Sequence, residues 1–327
     1  MPVETAVPAP EQPGSASRSF LNRLRSGDEV AHLTTLMFAT AVILIVVLLV
    51  VELYRNSAES QSKFGWAFLS SSKWDPVAGA FGALPFIYGT VFTSAVALLI
   101  SVPLGLGAAI FLSELAPPRV SDALIFVIEL LAAVPSVIYG LLGIFVLVPL
   151  LRDPIEPFLA RTFGFLPLFQ GPAYGVGFLA AGLILAIMVV PFIISLSRES
   201  LLAVPREQRE AALALGATRW EATWQVVVPY ARLGVIGSVF LALARALGET
   251  MAVTMVIGNA PQISFSLFAS GYSIAAIVAS EFTEATTDLH SSALIELGLV
   301  LFFLTIIING LARLLVLSTQ RRGTTSP

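Results

Sequence analysis

The sequence contains no cysteine, which excludes disulfides, thiol nucleophiles and cysteine-ligated metals. Its two histidines, His32 and His290, stand far apart at the ends of apolar runs, so no histidine-based metal or catalytic cluster is expected. Charge is scarce. Only 12% of the residues are Asp, Glu, Lys or Arg, where soluble domains carry about 25%. The net charge of −3 comes with no run of Lys and Arg interleaved with aromatics, which argues against a nucleic-acid partner. No G-x-x-x-x-G-K-[ST] run occurs, so any ATP hydrolysis belongs to another chain and no cofactor is expected in this one. Paired intramembrane carboxylates and Ser-His arrangements are also missing, and the chain does not read as an enzyme.

What the sequence has in abundance is apolar residues. They make up 57% of the 327 positions, with a mean hydropathy of +0.89, and they gather in runs of the roughly 20 residues needed to cross a bilayer. The expected architecture is an all-α membrane protein of six transmembrane helices at about 33–53, 84–112, 122–151, 172–197, 230–257 and 292–317, within a transmembrane domain spanning 32–320. Residues 1–31, rich in Pro, Ala, Ser and Gly, read as a disordered tail. No A-x-A-like cleavage site follows the first run, so it is expected to stay as an anchor in the lipid. Phe64, Trp66, Phe68 and Trp74 suit either a segment lying at the membrane interface or an ordinary loop. The stretch 265–282 is apolar but interrupted by serines and Gly271, which predicts an interfacial or re-entrant segment rather than a seventh span.

Six spans place both termini on one side. Of the 18 Lys and Arg residues, 12 fall on that side, 5 on the other and Arg245 within a span, so the termini are predicted to be cytoplasmic.

Residues 205–229, PREQREAALALGATRWEATWQVVVP, form the one long polar and amphipathic stretch between spanning runs. Pro205 suits a first helical position, Gly216 suits a left-handed C-terminal cap, and Thr218 with Glu221 makes a capping box. Two short helices joined by a tight turn are therefore predicted, with Pro229 handing over to the next span. A solvated connector has the same shape. The spacing Glu210-Ala211-Ala212, three residues, Gly216, nine residues, Val226-x-Val228-Pro229 resembles the EAA loop of bacterial ABC-importer permeases, with Val at both aliphatic positions. That resemblance implies a type I importer permease fold and a hairpin that couples to a cytoplasmic ATPase through Glu210, Ala211, Ala212, Gly216 and Pro229.

Arg245 and Glu249 lie four residues apart in the fifth predicted span, hence on one helical face. An arginine at bilayer depth costs about 2.5–3.5 kcal/mol on insertion scales, so it is expected to face protein or water. Either it forms a structural ion pair with Glu249, or it offers a positive fork to an anion in a substrate pathway, with Glu249 positioning it. Glu129 reads as a helix contact and Glu296 as an interfacial residue.

The run 244–253, ARALGETMAV, with Ile257-Gly258-Asn259, is similar to the corresponding segment of phosphate-specific ABC permeases, of the PstC type rather than the PstA type. So are Trp74-x-Pro76 leading to Phe81-Gly82-Ala83-Leu84-Pro85, and the third-span stretch from Glu129 to Ser136. The resemblance implies a cell inner-membrane subunit of an ATP-driven phosphate importer. Its implied partners are a second, PstA-like permease, two cytoplasmic ATPase subunits that use the ATP, and an extracytoplasmic phosphate-binding protein. An ABC permease for sulfate or molybdate shares the hairpin, and a secondary transporter would need no ATPase.

Overall fold

The computed structural model describes residues 28–323, in which the regular elements are helical and the only β-type pairing among the described residues is an isolated bridge between Asp75 and Ala80. Six helices among these residues are long and apolar enough to cross a membrane: Val30–Asn56, Leu84–Leu115, Ser136–Phe163, Phe178–Leu202, Arg219–Leu247 and Asp288–Leu314. The chain divides into two compact units, Met1–Glu52 and Leu53–Pro327, so the division falls within the first spanning helix rather than before it. The tail assigned to 1–31 lies outside the described residues up to 27. Residues 28–31 are already helical, since α1 runs Asp28–Asn56. In the first unit α1 turns its large apolar side chains outward, with Phe38 and Ile43 each 65% exposed. Hydrocarbon is the solvent such a surface suits.

In the second unit the chain continues through α2 (Ala58–Phe64), α3 (Leu84–Ile110), α4 (Pro118–Ala132), α5 (Ser136–Leu142), α6 (Phe178–Leu202), α7 (Arg206–Ala214), α8 (Arg219–Ala222), α9 (Val228–Leu247), α10 (Met251–Thr254), α11 (Ile274–Glu281) and α12 (Asp288–Gly323). The core is built on α6. Two-thirds of its apolar window is buried, 67%, against 22–33% for the other four spanning helices of this unit. Helices α3 and α6 run parallel and touch closely at two glycines: a Cβ on Gly182 would overlap Val96, and one on Gly105 would overlap Ile193. In lipid, where there is little hydrophobic drive between helices, such small residues permit the packing that joins them. Gly182→Val is expected to cost about 1–3 kcal/mol through overpacking. The check is a clearly lower Tm for the purified protein, and an unchanged Tm would mean that these helices are not in intimate contact.

Helix α6 starts below the surface, and its first N–H groups have no partners within the helix. Backbone carbonyls of the 256–269 segment take them: Gly177 N–H bonds to Val256 O at 3.0 Å, Phe178 N–H to Ala269 O at 3.0 Å and Leu179 N–H to Leu267 O at 2.8 Å. Irregular backbone survives at membrane depth only when protein satisfies it in this way. The stretch 265–282 is accordingly no seventh span. It is extended chain followed by the short α11, with Phe268, Ile274, Ala276 and Ile277 buried, and the start of α11 is held by Ile274 N–H to Thr90 Oγ1 at 2.9 Å.

Three predicted spans are redrawn by the structure. The third is not one helix over 122–151: α4 ends at Ala132 and the spanning helix begins at Ser136. Pro135 lacks an N–H and disfavours helical geometry at the residue before it. Beyond that break, Pro149 and Pro154 are carried inside Ser136–Phe163 with two π turns, Gly143–Leu147 and Leu151–Ile155. The fourth helix is Phe178–Leu202 rather than 172–197, its start being set by the loop carbonyls just described. The fifth is displaced toward the hairpin and runs continuously from Arg219 to Leu247. Pro229 does not interrupt it, because the π turn Thr223–Val227 widens the helix immediately before the missing donor.

The aromatic segment after α1 is not uniformly interfacial. Trp66 is 88% exposed, whereas Phe68 is fully buried. Trp74 Nε1–H donates to Glu281 Oε2 at 2.9 Å, His290 Nε2 lies 3.2 Å from the same oxygen, and the His290 ring stacks on Phe81. These contacts tie residues 74–81 to α11 and the start of α12. Glu296 is buried within the protein. It is 7% exposed, beside α2, where Ser60 N–H donates to Ser292 Oγ at 3.1 Å.

Candidate functional site

Two regions carry the residues singled out from the sequence. The first is the hairpin. Pro205 sits at the N-cap of α7, one position earlier than predicted, with φ −56° and ψ 142°. At the other end Gly216 N–H bonds to Leu213 O at 3.0 Å and Ala217 N–H to Ala212 O at 3.2 Å, the two bonds of a Schellman motif. Gly216 has φ +89°, and a Cβ there would meet open space, so the backbone conformation and not crowding demands glycine. The capping box of α8 is complete: Glu221 N–H donates to Thr218 Oγ1 at 3.3 Å and Thr218 N–H donates to Glu221 Oε2 at 2.8 Å.

The hairpin leaves a surface without a partner among the described residues. Glu210 and Ala211 are exposed, Ala212 is half-buried, Leu215 is 90% exposed, and Trp220 packs edge-on against Trp224 at 5.6 Å. Small residues flanked by exposed Leu and Trp make a surface that another protein can approach closely. Because the turn rests on one residue with positive φ, Gly216→Val is expected to cost about 1–2 kcal/mol there. Amide exchange at Ala217 should then accelerate about 5- to 30-fold, and an unchanged rate would show that the left-handed turn does not hold the hairpin.

The second region surrounds Arg245. The sequence predicts that Arg245 and Glu249 share a helical face, and the structure corrects this. Helix α9 ends at Leu247, Gly248 leaves helical geometry with φ −94° and ψ 2°, and Glu249 lies beyond the break. There its Oε1 accepts the N–H of Ala252 at 3.2 Å, at the start of α10. The ion pair, one of the two readings of the four-residue spacing, is not formed among the described residues. Arg245, in the last turn of α9, is placed where the helix dipole favours a cation. Its guanidinium carbon stands 4.2 Å above the centroid of Phe192, midway along α6. Arg245 makes no ion pair or hydrogen bond among the described residues, and its Nε is buried with no partner.

A second break faces this one. Between α4 and α5, Leu131 O, which accepts the Val134 N–H at 3.2 Å, also accepts the Tyr139 hydroxyl at 2.7 Å, so the side chain bridges the break. Tyr139 lies within electrostatic range of Arg245, and its neighbour Gly140 packs against Ala252 and Met255. Two interrupted helices therefore meet around one unpaired guanidinium backed by an aromatic face. Broken helices of this kind, tolerated only where they line a cavity or are buried in protein, bring polar groups to the substrate site in membrane transporters. Glu129 takes no part, being exposed on α4. Phe192 and Tyr139 were not legible as partners of Arg245, since neither their spacing nor their type sets them apart from other core aromatics.

The fold and these two regions are those of a class, multi-span membrane transport subunits. The chain belongs to the family of binding-protein-dependent transport system inner membrane components, whose model matches residues 101–321. Among known proteins it is similar to the phosphate transport system permease protein PstC of Mesorhizobium japonicum, at 46% identity over 98% of both chains. It is 50% identical to the PstC of Xylella fastidiosa over 79% of this chain and 81% of that one. In three dimensions it resembles a chain of a bacterial ABC transporter involved in the import of the acidic polysaccharide alginate, with a TM-score of 0.58, 15% identity, and coverage of 89% and 98%. That likeness shows the fold: an all-α ABC-importer permease of type I with multiple spans.

Proposed function

We propose that this chain is a permease subunit of an ATP-driven importer of inorganic phosphate in the cell inner membrane, with both termini cytoplasmic. A second, PstA-like permease would complete the translocation pathway. Two ATPase subunits would bind below, against the exposed hairpin face at Glu210, Ala211 and Ala212, and would supply and consume the ATP. A phosphate-binding protein would deliver the anion from the other side. The relatives' names support phosphate over sulfate or molybdate.

The observation that carries the reading is Arg245. A guanidinium held at the middle of α6 with no carboxylate among the described residues to neutralise it is a receptor for an anion, since a fork of N–H donors matches phosphate geometry. Glu249, occupied with the backbone of α10, sets the geometry of the break instead of cancelling the charge. ATP binding would draw the hairpins together and bias the bundle between outward- and inward-facing states, and closure would transfer the anion past Arg245.

Co-expression with the three partner types tests this. This chain, the second permease and the ATPase should purify as one complex, whose ATP hydrolysis rises when phosphate-loaded binding protein is added and does not rise with sulfate. Equal stimulation by sulfate would reject the substrate assignment, and a failure to recover the ATPase would reject the hairpin's role.

A further inference from the structure

One side chain that no motif marks ties the first hairpin helix to the spanning helices by hydrogen bonds. Arg209, next to the exposed Glu210, turns the other way and is one-fifth exposed. Its Nε lies 3.1 Å from Glu114 Oε2 and its Nη2 lies 2.8 Å from Glu114 Oε1, a two-point pair with a carboxylate that is one-tenth exposed. The same guanidinium donates to Val204 O at 2.5 Å through Nη1 and to Leu201 O at 2.7 Å through Nη2. Four hydrogen bonds thus join three elements: the first hairpin helix α7, the cytoplasmic end of α6, and the π turn Phe111–Leu115 that ends the spanning helix Leu84–Leu115.

Space is left beside this strut. A cavity of about 160 Å³ lies against it, lined by Glu114, Arg209, Leu213, Arg219, Ala222 and Thr223, which separates the strut from the start of α8. Arg209 is bonded to α6 and, through Glu114, to the helix beginning at Leu84. That last helix is the one packed along the core helix at Gly105 and Gly182. A planar guanidinium gripping a carboxylate at two points transmits rotation as well as displacement, which a single ammonium contact does not.

We propose that the Arg209–Glu114 pair is the positioning link that converts movement of the coupling hairpin into movement of the spanning helix Leu84–Leu115, so that ATP hydrolysis is tied to anion transfer. This rests on the functional reading above and adds residues to it. Arg209 acts through other groups and touches neither nucleotide nor anion.

The discriminating quantity is the ATP hydrolysed per phosphate imported by the full complex in proteoliposomes. Glu114→Gln keeps the side chain's shape and leaves the bonds of Arg209 to Leu201 and Val204 in place, so the hairpin stays folded. It is expected to raise that ratio at least about fivefold, the low end of usual coupling energies, with the ATPase recovered in normal amount. Arg209→Lys, which keeps the charge but not the two-point grip, should raise the ratio by a smaller factor. A ratio unchanged in both variants overturns the proposal, as does a fall of uptake and hydrolysis in equal proportion, since that is what loss of folded complex produces. Wild-type complex without ATP-dependent phosphate uptake would instead overturn the functional reading beneath it, which separates the two failures.

Discussion

Arg245→Gln is expected to lower phosphate uptake by about 10- to 150-fold while the complex still assembles, the range that follows from losing a charged hydrogen bond worth about 1.5–3 kcal/mol. The substitution removes the positive fork and keeps much of the length. Assembly should survive because, among the described residues, Arg245 makes no ion pair and packs on the face of Phe192. Had it formed the structural pair with Glu249 that the four-residue spacing suggests, removing it would have stranded a buried carboxylate and weakened the bundle. Glu249 is instead bonded to the backbone of α10, so its charge is already accommodated. Normal uptake by the variant would remove Arg245 from the pathway, and failure to assemble would restore a structural role. Arg245→Lys, with a point charge in place of a fork, should fall between the two.

Glu210→Lys acts at the other end of the chain of events. Glu210 is exposed on α7, beside the small residues Ala211 and Ala212, on the face opposite the inward-turned Arg209. Reversing its charge should cut recovery of the ATPase on co-purification at least about tenfold, because like charges brought together across an interface cost several kcal/mol. Insertion and the fold of the spans should be untouched, since Glu210 makes no ion pair among the described residues. Undiminished recovery would mean that this face is a solvated connector.

How much of this was legible in the sequence follows from the range of the interactions involved. The hairpin was readable nearly to the residue, since its signals are local: Gly216 for the left-handed turn, Thr218 and Glu221 three residues apart for the capping box. Six spanning helices were equally readable from apolar length. Their ends were not. Whether Pro229 breaks a helix depends on a π turn three-dimensional packing allows, and it runs through, whereas Pro135 stops one. The Arg245–Glu249 face vanished for a related reason: α9 stops at Leu247, where α10 and the 256–269 segment fill the space, and periodicity carries no sign of that. Least legible was the Arg209–Glu114 pair, whose partners are 95 positions apart in two stretches of ordinary composition.

The most direct test of the account is ATP-dependent uptake of labelled phosphate and sulfate into proteoliposomes containing this chain with its ATPase, second permease and binding protein. The account predicts accumulation of phosphate and not sulfate, lost when either ATP or the binding protein is withheld. Phosphate flux that persists without the ATPase would contradict it, because a hairpin with nothing docked on it would then have no part in moving the anion.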